Sequence, residues 1–329
     1  MSMNPRTILA FRELPFDAAQ WQQIKSAAAP DEIVVVSGKD DAAIAEALKG
    51  AEIAIITGDL DARFVQAPRL KWVHCDHAGL TKSSRPATFE KGLVVTGSAG
   101  RSGPALAEHA IMFMLMLGSR YRDYYEAQKR HQWAARQDDL RALYRQTVGI
   151  IGMGHTGVEL AVRCKAFGMR VLGYRRRDLP APAGVDTMYC SDRGDTIDPI
   201  LDACGVLALV VNLSDATYHM IGGREIARMK PSTIIVNLSR GGVIDEAELI
   251  KALTSGRLAG VGLDVTEVEP LPKDSPLWDC PNTLITPHFT PAVPDKSQRS
   301  VNVIVDNFGR FRRGEAMRNR ITAEDVFTH

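Results

Sequence analysis

Three polar segments late in the chain contain the side chains best suited to acid–base and anion-binding chemistry. They are N-L-S-R-G-G at 237–242, which includes Arg240, D-V-T-E-V-E-P at 264–270, and T-P-H, which ends at His288. An arginine clamps a carboxylate through paired hydrogen bonds, and a histidine gives or takes a proton on oxygen as a hydride moves to or from carbon. A carboxylate beside the histidine orients the imidazole and favours its protonated form. Together these side chains suit an anionic carbonyl substrate.

Each of these segments accompanies a short apolar run that predicts a β-strand, over 233–238, 259–264 and 283–286. Ligands of open parallel sheets bind beyond the carboxyl ends of the strands, so we expect the three segments to share one site. The residues alone leave two carboxylates open as the partner of the histidine, because Glu267 and Glu269 lie in the same segment.

A glycine-rich segment, T-V-G-I-I-G-M-G-H-T-G at 147–157, has the G-x-G-x-x-G spacing. In such a turn the first glycine permits a tight bend, the second lets a pyrophosphate approach the backbone, and the third lets the next helix pack on the sheet. A plain tight turn is the alternative, but a strand precedes this turn, a helix follows it, and a second strand is predicted over 169–174. We therefore predict a dinucleotide site at Gly152, Met153, Gly154, His155, Thr156 and Gly157, with the phosphates at the helix N-terminus.

The end of that second strand carries Arg175, Arg176 and Arg177, with no acidic residue before Asp178. An acid at this position normally accepts hydrogen bonds from the adenosine ribose, and it would repel a 2′-phosphate. Guanidinium groups instead bind a 2′-phosphate by charge and by forked hydrogen bonds. A solvated basic loop is the alternative. The position beside the ribose favours NADP(H) as the cofactor, with NAD(H) still possible.

The other apolar runs alternate with segments of helical periodicity, which is typical of α/β proteins with parallel sheets covered by helices. We predict a first domain over 1–100, completed by 290–329, and a second over 101–289. One long helix is predicted over 105–130, apolar in its first half and aromatic and charged in its second. Further strands are predicted over 7–11, 32–36, 52–56, 71–74, 93–96, 148–152, 187–190 and 206–211, and further helices over 17–28, 41–48, 155–167, 197–203, 223–229, 246–255 and 296–313.

Composition narrows the class of protein. A net charge of +1, with 45% hydrophobic and 24% charged residues, is ordinary for a globular protein and gives no basic surface for nucleic acid. The five cysteines are scattered, which favours reduced thiols over disulfides or zinc ligands. The N-terminal residues lack the apolar core of a signal peptide, and the longest apolar stretch, 110–118, is too short to cross a bilayer. We expect a soluble, cytoplasmic protein that binds neither nucleic acid nor membrane.

The end of the strand predicted over 71–74 and the loop that follows it contain His74, Asp76 and His77. Two histidines and a carboxylate could suggest a metal site, but on a single loop they more often hydrogen-bond to one another and to the backbone, and no metal is predicted. His77 could instead line a substrate pocket. The residues leave the role of this loop open.

The three late segments, in this order behind the glycine turn, resemble the D-isomer-specific 2-hydroxyacid dehydrogenases over almost the whole chain. The resemblance implies a flavodoxin-like substrate domain, a Rossmann dinucleotide-binding domain and a homodimer formed through the long helix. It implies the catalytic residues Arg240, Glu269 and His288, since the family's glutamate immediately precedes the proline. For the cofactor it adds Asn212, Ser239 and Asp264, the last beside the nicotinamide amide. For the substrate carboxylate it adds the backbone N–H groups of Ala78 and Gly79, with His77 and Arg240 as further candidate substrate residues.

These expectations combine into an NADPH-preferring reductase of small 2-keto acids, of the glyoxylate or hydroxypyruvate type, that forms D-2-hydroxy acids. His288 would protonate the carbonyl oxygen, Arg240 would position the substrate, and Glu269 would keep His288 protonated and aimed. Two alternatives remain, a nucleotide-sensing binding protein of the same fold and an NAD-dependent dehydrogenase of a bulkier substrate. A formate-dehydrogenase-like activity is disfavoured, because that branch pairs its histidine with glutamine.

Three segments depart from the family's usual pattern. They are F-T-P at 289–291, where small residues are usual, Asn212, where a proline is usual, and S-A-G-R-S at 98–102, which contains Arg101. We expect these departures to affect the substrate and the adenine contacts rather than the chemistry.

Overall fold

The computed structural model describes residues 6–135, 138–289 and 292–329 of the 329-residue chain. The departure from the family pattern at Thr290 and Pro291 and the N-terminal segment 1–5 lie outside the described residues. The chain divides into two compact units, which we call the first unit (Met1–Arg101 and Val293–His329) and the second unit (Ser102–Ala292).

The first unit is built on a parallel five-stranded sheet. Its elements are β1 (Thr7–Phe11), α1 (Ala18–Ala28), β2 (Glu32–Val36), α2 (Asp41–Leu48), β3 (Ala51–Ile56), α3 (Ala62–Gln66), β4 (Trp72–Cys75), α4 (Pro86–Glu90) and β5 (Val94–Gly97). The strand order is β2-β1-β3-β4-β5, which is the order of flavodoxin-like sheets. Strands such as β3 and β4 are almost entirely buried, which accounts for their continuous apolar sequences.

The second unit is built on a parallel seven-stranded sheet. Its elements are α5 (Gly103–Gly118), α6 (Tyr121–Lys129), β6 (Thr147–Ile151), α7 (His155–Ala166), β7 (Arg170–Arg175), β8 (Thr187–Cys190), α8 (Asp198–Ala203), β9 (Val206–Leu209), α9 (Gly223–Arg228), β10 (Ile234–Asn237), α10 (Glu246–Thr254), β11 (Gly260–Leu263) and β12 (Thr283–Ile285). The order β8-β7-β6-β9-β10-β11-β12 is that of a Rossmann sheet extended by one strand. Successive strands are added on one side of β6 up to β8 and then, from β9 onwards, on its other side. The predicted α/β fold with two parallel sheets is confirmed.

The prediction of one long helix over 105–130 is wrong. Helix α5 ends at Gly118 and α6 begins at Tyr121, with Arg120 between them in the left-handed region at φ 50°. The Gly118 carbonyl accepts the N–H of Arg141 at 2.8 Å, and a Cβ at residue 118 would lie only 2.6 Å from the Arg141 carbonyl oxygen. A tertiary contact that only glycine permits therefore ends the helix, although the helical periodicity of the sequence continues.

The last helix, α11 (Lys296–Arg313), belongs to the first unit and packs along α1. Phe308 meets the indole of Trp72 edge-on, with 5.1 Å between ring centroids, and both rings are buried. The indole N–H of Trp72 donates to the hydroxyl of Thr96 at 2.9 Å, so the polar edge of this large core residue is satisfied. Within the described ranges, no helix has the length and apolar character needed to span a membrane.

All five cysteines are buried and none forms a disulfide. Burial raises the pKa of the Cys75, Cys164 and Cys204 thiols to about 12. These thiols therefore stay protonated at neutral pH and act as packing groups rather than as nucleophiles.

Candidate active site

The glycine turn leads from β6 directly into α7. Gly152 has φ +106°, and a Cβ there would lie 2.6 Å from the carbonyl oxygen of Val210. A Cβ at Gly157 would clash with the Gly152 carbonyl oxygen. The chain's own packing therefore requires glycine at the first and third positions of the motif.

The second glycine of the motif has no such requirement. A Cβ at Gly154 would meet no atom within 4 Å, and its φ of −85° is open to any residue. Gly154 is also the N-cap of α7, and no side chain caps the helix there. The first turn, which begins with His155 and Thr156, therefore offers backbone N–H groups and a positive helix end to an anion. This cradle fits the pyrophosphate of a nicotinamide dinucleotide.

The remaining predicted cofactor residues of this region differ in exposure. Met153 is buried, with its side chain against Gly173 of β7, and its N–H donates to the Tyr174 carbonyl at 3.2 Å. Asn212 is exposed in the loop after β9, where its carbonyl accepts the Thr217 hydroxyl at 2.7 Å. Met153 thus braces the turn through its backbone, and Asn212 presents its side chain to solvent.

The arginine run 175–177 ends β7 and enters the following loop. Asp178, the only acid among residues 175–181, is paired with Arg193 at 3.1 Å, and Arg193 also contacts Asp195 at 3.1 Å. A guanidinium from outside the run therefore offsets part of the negative charge of Asp178 at this strand end and shares its own charge with Asp195.

The arginines of the run have different surroundings. The guanidinium of Arg175 donates to two carbonyls further along the same loop, which curls the loop back on itself. The Arg176 carbonyl accepts the N–H of Asp192 at 3.0 Å, so its backbone is tied to the loop after β8. Arg177 is exposed. The tip of β7 is thus a braced, positively charged loop.

The three late polar segments follow neighbouring strands. Asn237 of β10 is paired with Leu263 of β11, and Leu263 with Ile285 of β12, so the three strands end in register. Arg240 lies three residues beyond the end of β10, and His288 lies three residues beyond the end of β12. The structure therefore brings the segments to one edge of the sheet.

The turn that carries Arg240 is held by a buried asparagine. The Asn237 side-chain oxygen accepts both the N–H of Ser239, at 3.0 Å, and its hydroxyl, at 2.6 Å. The Asn237 amide nitrogen donates to the carbonyl of Arg240 at 3.0 Å. These bonds fix the backbone of the half-buried arginine, whose guanidinium donates to the Ser239 carbonyl at 2.7 Å.

His288 and Glu269 form a directly hydrogen-bonded pair. The imidazole Nδ1 lies 2.6 Å from the carboxylate Oε2 of Glu269, and because an ionised carboxylate can only accept, Nδ1 carries the proton. The other carboxylate oxygen accepts the N–H of Thr266 at 3.2 Å, which fixes its orientation. Nε2 of His288 is then the nitrogen that can exchange a proton with a ligand.

The rival carboxylate, Glu267, points elsewhere. Its Oε1 lies 2.7 Å from Nε2 of His219, in the loop after β9, and accepts the N–H of Glu246 at 3.2 Å. The structure therefore places Glu269, and not Glu267, against His288.

Asp264 organises the backbone around His288. Its buried carboxylate accepts the hydroxyl of Thr286 at 2.6 Å and the N–H of Phe289 at 3.0 Å, and its carbonyl accepts the N–H of His288 at 2.8 Å. Nε2 of His109 lies 3.1 Å from the same threonine hydroxyl. Since Thr286 donates to the carboxylate, its oxygen must accept from His109, whose pKa is lowered by burial. His109 thus has a structural role here.

The loop predicted to hold the substrate carboxylate follows β4 directly. Gly79 has φ +74°, and the His77 carbonyl accepts the N–H of Ser98 at 2.9 Å. Nε2 of His77 lies 3.5 Å from a carboxylate oxygen of Asp59, and its Nδ1 lies 3.1 Å from the Ala78 carbonyl. Ala78 is exposed at the tip of the loop.

The neighbouring His74 belongs to a buried hydrogen-bond network. Its two ring nitrogens lie 3.0 Å from the hydroxyls of Thr96 and Ser98, and burial lowers its pKa to about 4. Ser98 donates to Asp76 at 2.8 Å, and Arg101 is paired with Asp76 at 2.9 Å. These groups thus hydrogen-bond to one another, and among the described residues no group of three or more histidines, cysteines or acids is arranged to hold a metal ion.

Sequence reasoning missed three residues that shape this site: Asn237, Thr286 and His219. Asn237 and Thr286 are polar residues at the ends of otherwise apolar strands, and that position is a signal that could have identified them. His219 had no such signal, because its partners lie 23 and 48 residues further along the chain.

A Rossmann sheet, an open glycine cradle at the helix N-terminus and a histidine–carboxylate pair at the carboxyl edge define the class of nicotinamide-dependent dehydrogenases. Residues 111–290 match the family described as "D-isomer specific 2-hydroxyacid dehydrogenase, NAD binding domain". The chain belongs to this family and is an NAD(P)-dependent oxidoreductase, as the sequence motifs predict.

Individual relatives cover most of the chain. A glyoxylate reductase of Korarchaeum cryptofilum is 31% identical, with 98% of each chain covered. A glyoxylate/hydroxypyruvate reductase B of Pectobacterium carotovorum is 32% identical over 81% of this chain and 84% of its own. A D-isomer specific 2-hydroxyacid dehydrogenase of Xanthobacter autotrophicus Py2, solved in complex with NADPH and MES, superposes with a TM-score of 0.78 at 25% identity, covering 96% of this chain and 98% of its own.

Proposed function

We propose that this protein reduces small 2-keto acids to D-2-hydroxy acids, with NADPH as the preferred cofactor. The observation that carries the proposal is the 2.6 Å hydrogen bond between His288 and Glu269 at the edge of the sheet that also carries the glycine cradle. Glyoxylate and hydroxypyruvate are the proposed substrates, because the reductases of Korarchaeum cryptofilum and Pectobacterium carotovorum are named for them.

The proposed proton donor is Nε2 of His288. It protonates the carbonyl oxygen of the keto acid, while Glu269 holds Nδ1–H and stabilises the positive charge of the imidazolium. A bound NADPH would supply the hydride for the carbonyl carbon, which would balance the reduction because the keto acid gains the two electrons that the nicotinamide loses. The proton on oxygen and the hydride on carbon together give the hydroxy acid.

Arg240 is the proposed anchor of the substrate. Its guanidinium pairs with the carboxylate of the keto acid and polarises the adjacent carbonyl, and Asn237 holds the turn from which it projects. In the first unit, the backbone N–H groups of Ala78 and Gly79, with His77 beside them, remain proposed substrate contacts. Asp264 and Ser239, both buried, are the proposed contacts of the nicotinamide end of the cofactor.

The preference for NADPH rests on the positively charged loop after β7. Arg175, Arg176 and Arg177 are proposed to bind the 2′-phosphate, and the ion pair of Asp178 with Arg193 reduces the repulsion between that carboxylate and the phosphate. Asn212 is proposed to contact the adenosine side of the cofactor. The complex of the Xanthobacter autotrophicus relative with NADPH is in line with this preference.

A homodimer is the proposed assembly, through the face that includes α6. The rings of Tyr121 and Tyr125 stack on this helix with centroids 6.0 Å apart, and each ring is almost half exposed. Trp133, just beyond α6, is fully exposed. Rings of this size are enriched at protein interfaces. Light scattering of the purified protein tests the assembly, and a monomeric mass at micromolar concentration would contradict it.

The activity is tested by the initial rate of absorbance loss as NADPH or NADH is oxidised, with glyoxylate, hydroxypyruvate, pyruvate and bulkier keto acids. Turnover of a small keto acid, with a higher kcat/KM for NADPH than for NADH, is the expected result. Chiral analysis of the product then tests the D configuration. Turnover of bulky keto acids alone with NADH would instead support the NAD-dependent dehydrogenase of a bulkier substrate.

The alternative hypothesis, a nucleotide-sensing binding protein, makes a different prediction. A pure sensor binds NADPH tightly, which fluorescence titration of the nicotinamide detects, but it reduces no keto acid at a measurable rate. That combination of results would exclude the reductase and support a binding protein of the same fold.

A further inference from the structure

The loop between β9 and α9 runs alongside the segment that follows Arg240. The N–H of His219 donates to the Gly242 carbonyl at 2.8 Å, and the N–H of Ile221 donates to the Val243 carbonyl at 3.1 Å. Ile221 also forms an isolated parallel bridge with Ile244. The backbone on the carboxyl side of Arg240 is therefore paired with this loop.

The side chain of His219 reaches the other catalytic turn. Its Nε2 lies 2.7 Å from the carboxylate of Glu267, two residues before Glu269, and its Nδ1 lies 3.9 Å from a carboxylate oxygen of Asp245. The ring of Tyr218 stacks on the imidazole with 4.0 Å between centroids, which limits its rotation. His219 thus contacts the Arg240 turn through its backbone and the Glu269 turn through its ring.

The two turns also touch each other closely at this point. A Cβ at Gly241 would clash with the Thr266 carbonyl, so the Arg240 turn lies directly against the backbone before Glu267. The N–H of Glu267 donates to the carboxylate of Glu246 at 3.1 Å, and the N–H of Glu246 donates back to Glu267 at 3.2 Å. Burial and the nearby Glu267 raise the pKa of Glu246.

We propose that His219 is a positioning residue, which sets the Arg240 turn and the Glu269 turn in register by bonding to both. It touches neither substrate nor cofactor in this role and acts through Glu267 and Gly242. Small displacements of reacting groups slow an enzymatic step strongly, so a residue that fixes two catalytic turns together affects turnover more than binding. The inference rests on the proposed function for its kinetic readout but not for its spectroscopic one.

The test compares His219→Ala with His219→Gln. The amide nitrogen of glutamine reaches the position of Nε2 and can donate to Glu267, whereas alanine cannot. Both residues accept the left-handed φ of 48° equally poorly, so the backbone strain is matched between the two variants. Arg228→Ala is the control, because it removes an exposed ion pair to Asp202 in the same unit and contacts neither turn.

We expect His219→Ala to lower kcat by about 10-fold or more, with the KM of the keto acid changed much less, and His219→Gln to recover most of the loss. Glu267→Ala should give a similar loss, and adding it to His219→Ala should lower kcat little further, because the two side chains act as one unit. A loss of NADPH affinity with kcat unchanged, or fully additive losses, would overturn the proposal.

The second readout is the ¹⁵N NMR signal of the His288 imidazole, which reports the Nδ1–H bond to Glu269 without any turnover. We expect His219→Ala to move this signal towards that of a Glu269→Gln protein, and His219→Gln and Arg228→Ala to leave it in place. An unmoved signal in His219→Ala would reject the positioning role. Absence of turnover in the unaltered protein would reject the proposed function instead, and the NMR comparison would still decide the role of His219.

Discussion

Nδ1 of His288 and Oε2 of Glu269 lie 2.6 Å apart, although 19 residues separate the two side chains in the sequence. The bond commits one nitrogen of the imidazole to the carboxylate and leaves the other to exchange a proton. A further hydrogen bond holds each partner in place: the N–H of Thr266 donates to the carboxylate of Glu269, and the Asp264 carbonyl accepts the N–H of His288. The pair is therefore oriented before any ligand binds.

Replacing His288 by alanine removes the proposed proton donor. We expect His288→Ala to lower kcat for keto-acid reduction by about 10²-fold or more, because a positioned general acid contributes about that much. The Kd of NADPH should not change, since the glycine cradle and the arginine loop lie at other strand ends. Steady-state kinetics and fluorescence titration measure the two quantities. A variant with unaltered kcat would remove His288 from the mechanism.

Glu269→Gln keeps a hydrogen-bond acceptor for Nδ1 but removes the negative charge beside the imidazole. We expect kcat to fall by about 10-fold or more, because the imidazolium that forms during proton exchange loses the carboxylate charge that stabilises it. Glu248→Gln is the matched comparison, since it makes the same change in the same unit at a carboxylate that is paired with the exposed Lys251. An equal loss in both variants would show that Glu269 has no special relation to His288.

The arginine loop predicts a change in cofactor preference. Replacing Arg175 and Arg176 with glutamine should raise the KM of NADPH by about 10-fold or more, since a hydrogen bond to a charged group contributes about 1.5–3 kcal/mol. The KM of NADH, which lacks the 2′-phosphate, should change far less. Arg170→Gln removes an exposed arginine at the opposite end of the same strand and serves as the control. An unchanged ratio of the two KM values would exclude the phosphate clamp.

His74 predicts a pH dependence of stability. Burial lowers its pKa from 6.5 to about 4, so the folded chain resists a proton that the unfolded chain accepts between these two values. The free energy of unfolding therefore falls as the pH falls through this window, by roughly 3 kcal/mol from this group at most. The melting temperature measured from pH 7 to 4.5 should fall less steeply in His74→Gln, whatever its value at pH 7. Identical slopes in the two proteins would contradict the assignment.

The two sheets could be predicted from the sequence because buried parallel strands consist of continuous apolar runs, which here alternate with helical segments. The strands at 7–11, 32–36 and 187–190 have the bounds that their residues predict. The break between α5 and α6 could not be predicted in this way, since it depends on the contact of Gly118 with Arg141 across the fold. Local periodicity contains no information about such contacts.

The candidate site shows the same division. Arg240 and His288 stand directly after strands, so their place at the carboxyl edge follows from the parallel sheet. The choice of Glu269 over Glu267 needed the family resemblance, because both carboxylates lie on one turn. The structure separates them by their partners, His288 for Glu269 and His219 for Glu267. Pairings over such distances in the sequence depend on the folded chain.

The three glycines of the turn after β6 differ in what a side chain would contact at each position. Gly152 and Gly157 are required by neighbouring backbone, whereas a methyl group at Gly154 would touch nothing in the chain. An alanine at Gly152 or at Gly157 should therefore destabilise the fold and lower the melting temperature of the free protein. An alanine at 154 should leave the melting temperature unchanged and weaken dinucleotide binding, because its methyl group would cover the N–H groups of the first turn of α7. The packing of the chain thus accounts for two of the three glycines, and the proposed cofactor accounts for the remaining one.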